Sequence, residues 1–471
     1  MAVDTQRFTL LRRLHGVDVS DIDLQKVEGK GWGIVTTEDL ATEEEDEARS
    51  LMTIPHELVL NTTTVETYAK ESRNFRDLYE AIGPKGNRLD VLLFLLAQLA
   101  GSGEEVVSSC WNDYREFLPH EPFLPTQWSE NERALLAGTS LETAVHAKLL
   151  ALTGEFESVR EKSSDIPFWN DLLWIKKGVK LQDWIMLDAW YRSRCLELPK
   201  SGHSMVPFLD MVNHSSSPTA YYDENSKEEV VFSLRPGARL SKGDEITISY
   251  GNKSAAEMLF SYGFLDATVE SGSLVLPLQP FPDDPLRIAK LYAFGEQPRI
   301  HVSVDEQGIP KWESPFAYLM CLNEEDGLEF RLLQDVEGNR EMKVFWQEED
   351  VSDKAKDFEA LIQNHEISEV LKLRVVTVVQ GCLQEQLEKL EPSEEVAALQ
   401  NDPEIAEDCK RTATALRRVE VAVLETVVEE LEKESTALSS TESVIAYLAS
   451  MEATHSDLVE GDTSPGEDDF S

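Results

Sequence analysis

Polar side chains gather in one stretch of this chain where a plain core element would carry apolar ones. Asn213 and His214 end an apolar run, Val206 to Val212, that only Asp210 interrupts. Further on, Glu245 to Tyr250 alternates, with Ile246, Ile248 and Tyr250 on one side and Glu245, Thr247 and Ser249 on the other. That is the pattern of a strand with one face buried. Tyr250 then shares the buried face with two isoleucines, just before Gly251. A phenol there either caps the strand with a structural hydrogen bond or turns its hydroxyl into a site. Asp210 poses a similar choice. In a strand that alternates faces, an acid amid Phe208, Leu209 and Met211 needs a partner. Arg192 and Arg194 are the near candidates. Amide, imidazole and phenol groups in such a cluster can hydrogen-bond and orient a bound molecule.

The elements that must hold these groups are legible around them. Val230 to Leu234 reads as a strand, and Ser241-Lys242-Gly243-Asp244 supplies turn chemistry. Near the start, Gly29, Gly31 and Gly33 invite a dinucleotide-fold reading, which needs a helix after the glycines. Ile34, Val35, Thr36 and Thr37 follow instead and favour a strand. The result is a glycine turn between two strands, where backbone can approach a ligand closely. Phe8 to Leu14 can start as a helix, and Leu51 to Leu60 suggests short edge strands around Pro55. From about Val65 to Arg194 the pattern is helical, with Leu89, Leu92, Leu93, Leu96 and Leu99 or Ala100 at helix spacing. Its tryptophans are expected in the core. Ile367 to Leu390 and Leu416 to Leu431 give two more amphipathic helices, and Ile300 to Val304 and Met342 to Phe345 look strand-like.

Three motifs follow in order: Asn213-His214; a strand ending in Tyr250-Gly251; and Asn252-Lys253-Ser254 with Glu257, then Tyr262-Gly263-Phe264. Together they resemble the SET-domain protein methyltransferases. More narrowly, they resemble the branch containing the Rubisco large-subunit lysine methyltransferases and the fungal ribosomal-protein lysine methyltransferases. The resemblance implies an α+β fold: a β-rich SET domain with a helical insertion, then a mainly helical C-terminal domain. It also implies S-adenosyl-L-methionine as cofactor and a protein lysine as acceptor. By it, Lys30, Gly31, Trp32 and Gly33 would line the cofactor site, with Arg194, Asn213, His214 and Phe264 as further contacts. Tyr250 would be catalytic, and Ser193, Asp210 and Tyr262 would border the lysine channel. His214 would be a contact and not a base. Arg194 can equally be a salt-bridged surface residue, and Tyr262 and Phe264 can be core packing. The same scaffold accommodates imidazole, so a histidine methyltransferase stands as an alternative. So do a catalytically silent SET-fold adaptor and an acidic chaperone.

Composition narrows the partners. Asp and Glu number 88 against 44 Lys and Arg, a net charge of −44, and no basic run interrupts it. Such a chain repels nucleic acid and attracts a basic partner, such as a ribosomal protein or a histone tail, unless the excess serves solubility alone. The five cysteines are scattered without a C-x-x-C, which suggests neither a zinc cluster nor a disulfide framework and fits reduced cytosol or nucleus. Arg12 and Arg13 precede no apolar segment of signal-peptide type, and the longest apolar segment, beginning at Val91, is too short to span a bilayer. The 471 residues exceed one compact core. The expected division is a SET domain over 1–275 with its insertion at about 65–195, a C-terminal domain over 285–438 that helps hold a protein substrate, and an acidic tail over 439–471, disordered from Thr454. A monomer is expected.

Overall fold

The computed structural model describes residues 4–43, 48–83, 86–101, 106, 109–265, 272–334 and 340–450. The chain divides into two compact units. One comprises Met1–Leu136, Leu141–Val269 and Asp402–Thr412; the other comprises Ala137–Ser140, Glu270–Asn401 and Ala413–Ser471.

In the first unit, helix α1 (Thr5–Leu14) starts at Asp4, whose carboxylate accepts from the N–H groups of Gln6 and Arg7. Strands β1 (Asp18–Val19), β2 (Ile22–Val27), β3 (Gly31–Thr36), β4 (Leu40–Ala41) and β5 (Ser50–Ile54) follow. β2 and β3 form an antiparallel hairpin, with Val27 opposite Gly31 and Gln25 opposite Gly33. Gly29 and Gly31 have φ of 73° and 85°, the left-handed backbone that the reversal requires.

The insertion then runs through α2 (Thr62–Glu71), α3 (Arg73–Ile82), α4 (Asn87–Ala100), α5 (Trp111–Tyr114), α6 (Glu130–Ala134), α7 (Ser140–Ser164), α8 (Pro167–Trp169) and α9 (Leu181–Arg194). Asn61 and Thr64 cap α2 reciprocally, side chain to backbone. Val91 to Ala97 of α4 are all buried, so this helix is enclosed on every side. Trp111, Trp169 and Trp184 are buried too, as core residues. At the base of the insertion, Leu60 and Met205 exchange both backbone hydrogen bonds at 2.9 Å. That closure lets about 140 residues, mostly helical, leave the strands and return to the same place.

The chain returns through β6 (Cys195–Leu198), β7 (Gly202–Met205), β8 (Ala220–Glu224), β9 (Val230–Leu234), β10 (Arg239–Leu240) and α10 (Ala255–Tyr262). The largest sheet is ordered β1-β5-β9-β8. β5 therefore lies inside a sheet, not at the edge expected from Pro55. Leu51, Met52 and Ile54 are buried, and Pro55 follows the last strand residue, so its missing N–H falls outside the ladder.

Two expected strands are not strands. Val206 to Val212 is a turn followed by one 3₁₀ turn, Leu209–Met211, with Phe208 at φ 73° and ψ −40°. Pro207 offers no N–H for a ladder, and Asp210 is drawn aside by Arg194. Glu245 to Tyr250 is extended but pairs in turn with two partners. The Ile246 N–H donates to Ile34 O at 2.8 Å, and the Ile248 N–H donates to Asn213 O at 3.0 Å. Strict alternation fails with it: Thr247 is buried and donates its N–H to the Thr219 hydroxyl.

The second unit is dominated by helices. β11 (Gly272–Pro277), α11 (Arg287–Phe294), β12 (Arg299–Val304), β13 (Pro310–Glu313), α12 (Pro315–Cys321), β14 (Leu328–Gln334), β15 (Arg340–Trp346) and β16 (Glu349–Asp350) come first. Then come α13 (Phe358–Ile362), α14 (Ser368–Leu390), α15 (Glu394–Gln400) and, from Ala413 onward, α16 (Glu407–Ser439). The strands form two three-stranded antiparallel sheets, β11-β12-β13 and β14-β15-β16, and contain both strand-like segments read from the sequence. Lys290 is buried at the end of α12, where its ammonium donates to the carbonyls of Met320 and Leu322 and pairs with Asp284. Residues 442–450 are helical, and the segment from Thr454 lies outside the described residues. Among the described residues no helix is long and apolar enough to cross a membrane.

Candidate functional site

Two groups of side chains meet on residues 206–214. The first stands on the β2–β3 hairpin. The Asn213 amide donates to the Trp32 carbonyl at 3.3 Å and to one oxygen of Glu245 at 2.8 Å. Lys30 pairs with the other oxygen of Glu245, also at 2.8 Å. Gly33 lies against both: a Cβ there would stand 2.6 Å from the Asn213 amide nitrogen and 3.0 Å from the Glu245 carboxylate. Only glycine leaves that bridge intact. At Gly31 nothing described stands within 4 Å of a Cβ position, so the turn is open to a ligand. Glu245 is a residue that the sequence pattern missed. Alternation turned it outward, yet its side chain is only 15% exposed because Lys30 and Asn213 cover it. The opposite charge of Lys30 on the hairpin is the one signal that could have found it.

The second group lines a cavity of about 460 Å³ that includes Ser193, Arg194, Asp210, Tyr222, Tyr250 and Tyr262. α9 delivers Ser193 and Arg194 at its last turn; the Ser193 hydroxyl donates to Ala189 O at 2.7 Å, within its own helix. Arg194 donates to the Asp210 carboxylate at 2.8 Å and to the Asp210 carbonyl at 3.2 Å. Tyr114 of the insertion donates its hydroxyl to the other carboxylate oxygen. Arg192, the other partner considered, pairs with buried Asp188 at 2.9 Å and with the Phe260 carbonyl and Thr126 hydroxyl. Burial pushes the Asp210 carboxyl up, while Arg194 and Tyr114 draw it back. Burial pulls the Arg194 guanidinium down, but Asp210 and Tyr114 outweigh it and leave it above its ordinary value.

Tyr250 joins the two groups. Its hydroxyl donates to Val212 O at 2.8 Å, and its N–H donates to Nδ1 of His214 at 3.0 Å. The imidazole is thereby committed as an acceptor on that nitrogen. Four rings cluster here. Tyr250 lies 4.5 Å from Tyr262, 5.2 Å from His214 and 6.5 Å from Phe264, centre to centre. Phe264 is exposed at the rim, 6.2 Å from His214. Gly263 sets this corner. It caps α10 at φ 82°, and a Cβ there would fall 2.0 Å from Phe123 O. Burial raises the phenols of Tyr250 and Tyr262, the latter to about 12, so both stay protonated near neutral pH. All twelve residues singled out from the sequence thus fall in these two groups or on the rim between them. Ser193, Arg194, Asp210, Tyr250 and Tyr262 line the cavity. Lys30, Gly31, Trp32, Gly33 and Asn213 form the hairpin group, with His214 and Phe264 adjoining. Tyr114, Tyr222 and Glu245 are additions. Among the described residues no group of three or more His, Cys, Asp or Glu side chains could hold a metal ion.

Residues 31–251 match the SET domain family. SET domain-containing protein 8 of Schizosaccharomyces pombe (strain 972 / ATCC 24843) is 29% identical over 374 residues, which is 78% of this chain and 81% of that protein. The chloroplastic ribulose-1,5 bisphosphate carboxylase/oxygenase large subunit N-methyltransferase of Nicotiana tabacum is 27% identical over 255 residues, half of each chain. The crystal structure of the SET domain of LSMT bound to MeLysine and AdoHcy has the same fold, with a TM-score of 0.68 at 20% identity over 93% of each chain.

Proposed function

We infer that this chain, a SET-domain protein-lysine N-methyltransferase of the Rubisco large-subunit methyltransferase type that uses S-adenosylmethionine, acts on a lysine of a basic protein, with ribosomal proteins the first candidates. One observation carries the site assignment: the open glycine hairpin and the phenol-lined cavity are joined through Val212, Asn213 and His214. The hairpin fits the cofactor because backbone is bare at Gly31 and because the Gly33–Asn213–Glu245 contact has no room for a Cβ. Lys30, Gly31, Trp32, Gly33, Asn213 and His214 would hold the cofactor, with Arg194 and Phe264 at its border. S-adenosylmethionine, when bound, supplies the methyl group and a positive charge beside the acceptor amine.

The remaining work falls to the chain's own side chains. A lysine amine with a pKa of about 10.4 must lose its proton, at about 4 kcal/mol at pH 7.4. Narrow aromatic walls from Tyr222, Tyr250 and Tyr262 strip water from the ammonium and lower that cost. Tyr250 donates its own proton to Val212 O, so its oxygen is left to accept from the amine and aim it. Tyr250 is therefore an orienting group and not a base. Asp210 would favour the unwanted ammonium if it stood alone. Pairing with Arg194 cancels that charge at the cavity wall. Ser193 borders the same opening.

The charge of −44 supports a basic partner. Five cysteines without a disulfide support the cytosol or nucleus as compartment. One chain supplies every group of the site, so a monomer suffices. The test is calorimetry with S-adenosylmethionine, followed by transfer from labelled cofactor into acid-extracted basic proteins. Binding with transfer into a lysine is expected. Binding without transfer would leave a silent adaptor, label on histidine would reassign the acceptor, and no binding would remove the enzyme altogether.

A further inference from the structure

We propose that Tyr114 is a positioning residue for methyl transfer, its one hydroxyl tying the strained backbone at Phe208 to the Asp210–Arg194 pair on the cavity wall. The inference rests on the methyltransferase reading above. Tyr114 belongs to the helical insertion, 96 residues before Asp210 in the chain, and is fully buried. It does not line the cavity and touches no ligand position.

Phe208 is a bulky residue at φ 73° and ψ −40°, outside every favoured basin for an L side chain. Such a conformation is strained and persists only where the surroundings over-determine it. Here they do. The ring of Phe208 packs edge-on to Phe8 at 5.2 Å and to Tyr114 at 5.0 Å. The Phe208 N–H donates to the Tyr114 oxygen at 2.9 Å. An N–H can only donate and a carboxylate can only accept, so the Tyr114 proton has one place to point, towards Asp210. The chain of bonds is directed: backbone N–H to phenol, phenol to carboxylate, with Arg194 donating from the far side.

Removing the hydroxyl leaves a buried N–H at the strained residue without an acceptor and one Asp210 oxygen without its donor. Arg194 then loses the setting that aims it. Its Nε has no partner among the described residues, and the side chain lines the cavity. The titratable and charged groups facing Asp210 are Arg194 from α9, Tyr114 from α5 and Tyr250 from the 245–250 segment. Loss of the Tyr114 donor removes one of the influences that hold the Asp210 carboxyl down, beside Arg194 and a backbone hydrogen bond, so its protonation moves to higher pH.

The experiment uses the full chain with Tyr114→Phe, Asp210→Asn and the double variant. Affinity for S-adenosylmethionine is read by calorimetry, and transfer from labelled cofactor into acid-extracted basic proteins is read across pH. Tyr114→Phe is expected to bind cofactor within about twofold of the unsubstituted chain, to transfer about tenfold more slowly at pH 7, and to move the acid limb of the profile upward. In the Asp210→Asn background the second substitution is expected to leave the acid limb where Asp210→Asn alone puts it, and to slow transfer by less than it does alone, because only the tie to Phe208 is left to lose. An unchanged rate and profile for Tyr114→Phe overturns the proposal, as does a shift of the acid limb by Tyr114→Phe in the Asp210→Asn background, where no carboxyl at 210 is left to titrate. Hydrogen exchange in the unsubstituted protein is an independent check. The Phe208 amide is expected to exchange only through global opening, and fast local exchange overturns the tie. An unsubstituted chain that binds no cofactor fails at the earlier step, which separates the two readings.

Discussion

The two ends of the segment 206–214 are anchored on opposite physical terms. At one end Asn213 is held by Glu245, which Lys30 clasps from a position 45% exposed to water. At the other, Asp210 is held by Arg194 and Tyr114 with its side chain 1% exposed. A solvated ion pair contributes little and is screened by salt. A buried one is all-or-none, because either partner alone is a stranded charge. The hairpin side is thus adjustable and the cavity side is fixed. In the proposed assignment this suits a surface that must admit and release one small molecule per turnover beside a wall that must aim an amine.

Four substitutions sharpen the contrast, from strongest to weakest. Arg194→Leu leaves Asp210 buried and unpaired and is expected to destabilise the chain by about 3–5 kcal/mol in chemical denaturation. A loss below about 1 kcal/mol would show water reaching Asp210 and erase the difference between the two ends. Tyr250→Phe is expected to slow transfer by roughly a hundredfold, while loss of its bond to Val212 O lowers stability by only about 0.5–1.5 kcal/mol. Full activity in that variant removes the phenol from the mechanism. Gly33→Ala pushes a methyl into the Asn213–Glu245 contact and is expected to weaken cofactor affinity about tenfold in calorimetry, with transfer at saturating cofactor preserved. Equal loss at saturation would show that the hairpin aims the amine as well. Lys30→Ala is expected to change cofactor affinity by no more than about fivefold, an effect that 1 M salt abolishes. A larger, salt-resistant loss would make Lys30 a direct contact.

How far the chain could be read follows from the range of the interactions. Local chemistry was legible: the glycine turn, the leucine spacing of α4, the tryptophan core and the two long helices of the second unit all depend on near neighbours in sequence. The site residues were assigned through a resemblance, carried by Asn213-His214, Tyr250-Gly251, Asn252 to Glu257 and Tyr262 to Phe264, to the SET-domain methyltransferases. Segments whose backbone partners lie far away were misread. Val206 to Val212 has strand-like composition, but the partners of Phe208 and Asp210 sit at 114 and 194. Glu245 looked solvent-facing because its cover comes from Lys30 and Asn213. Tyr114 left no signal at all: nothing in its neighbourhood distinguishes it from the aromatic core around it.

The hairpin that starts the site has a consequence for how the protein is made. β3 presents its outer edge to Asp244 and Ile246, which take the Thr36 and Ile34 positions by backbone bonds. Lys30 and Glu245 are 215 residues apart. At ribosomal speeds of about 5–20 residues per second, that edge waits roughly 10–40 s for its partner to be translated. Throughout that interval a nascent chain carries an unpaired ladder that could seed mispairing with another polypeptide. The acidic residues on and around the hairpin, Asp21 before it, Asp23 and Glu28 within it and Glu38 and Asp39 after it, give the growing chain like charge against its own copies while it waits.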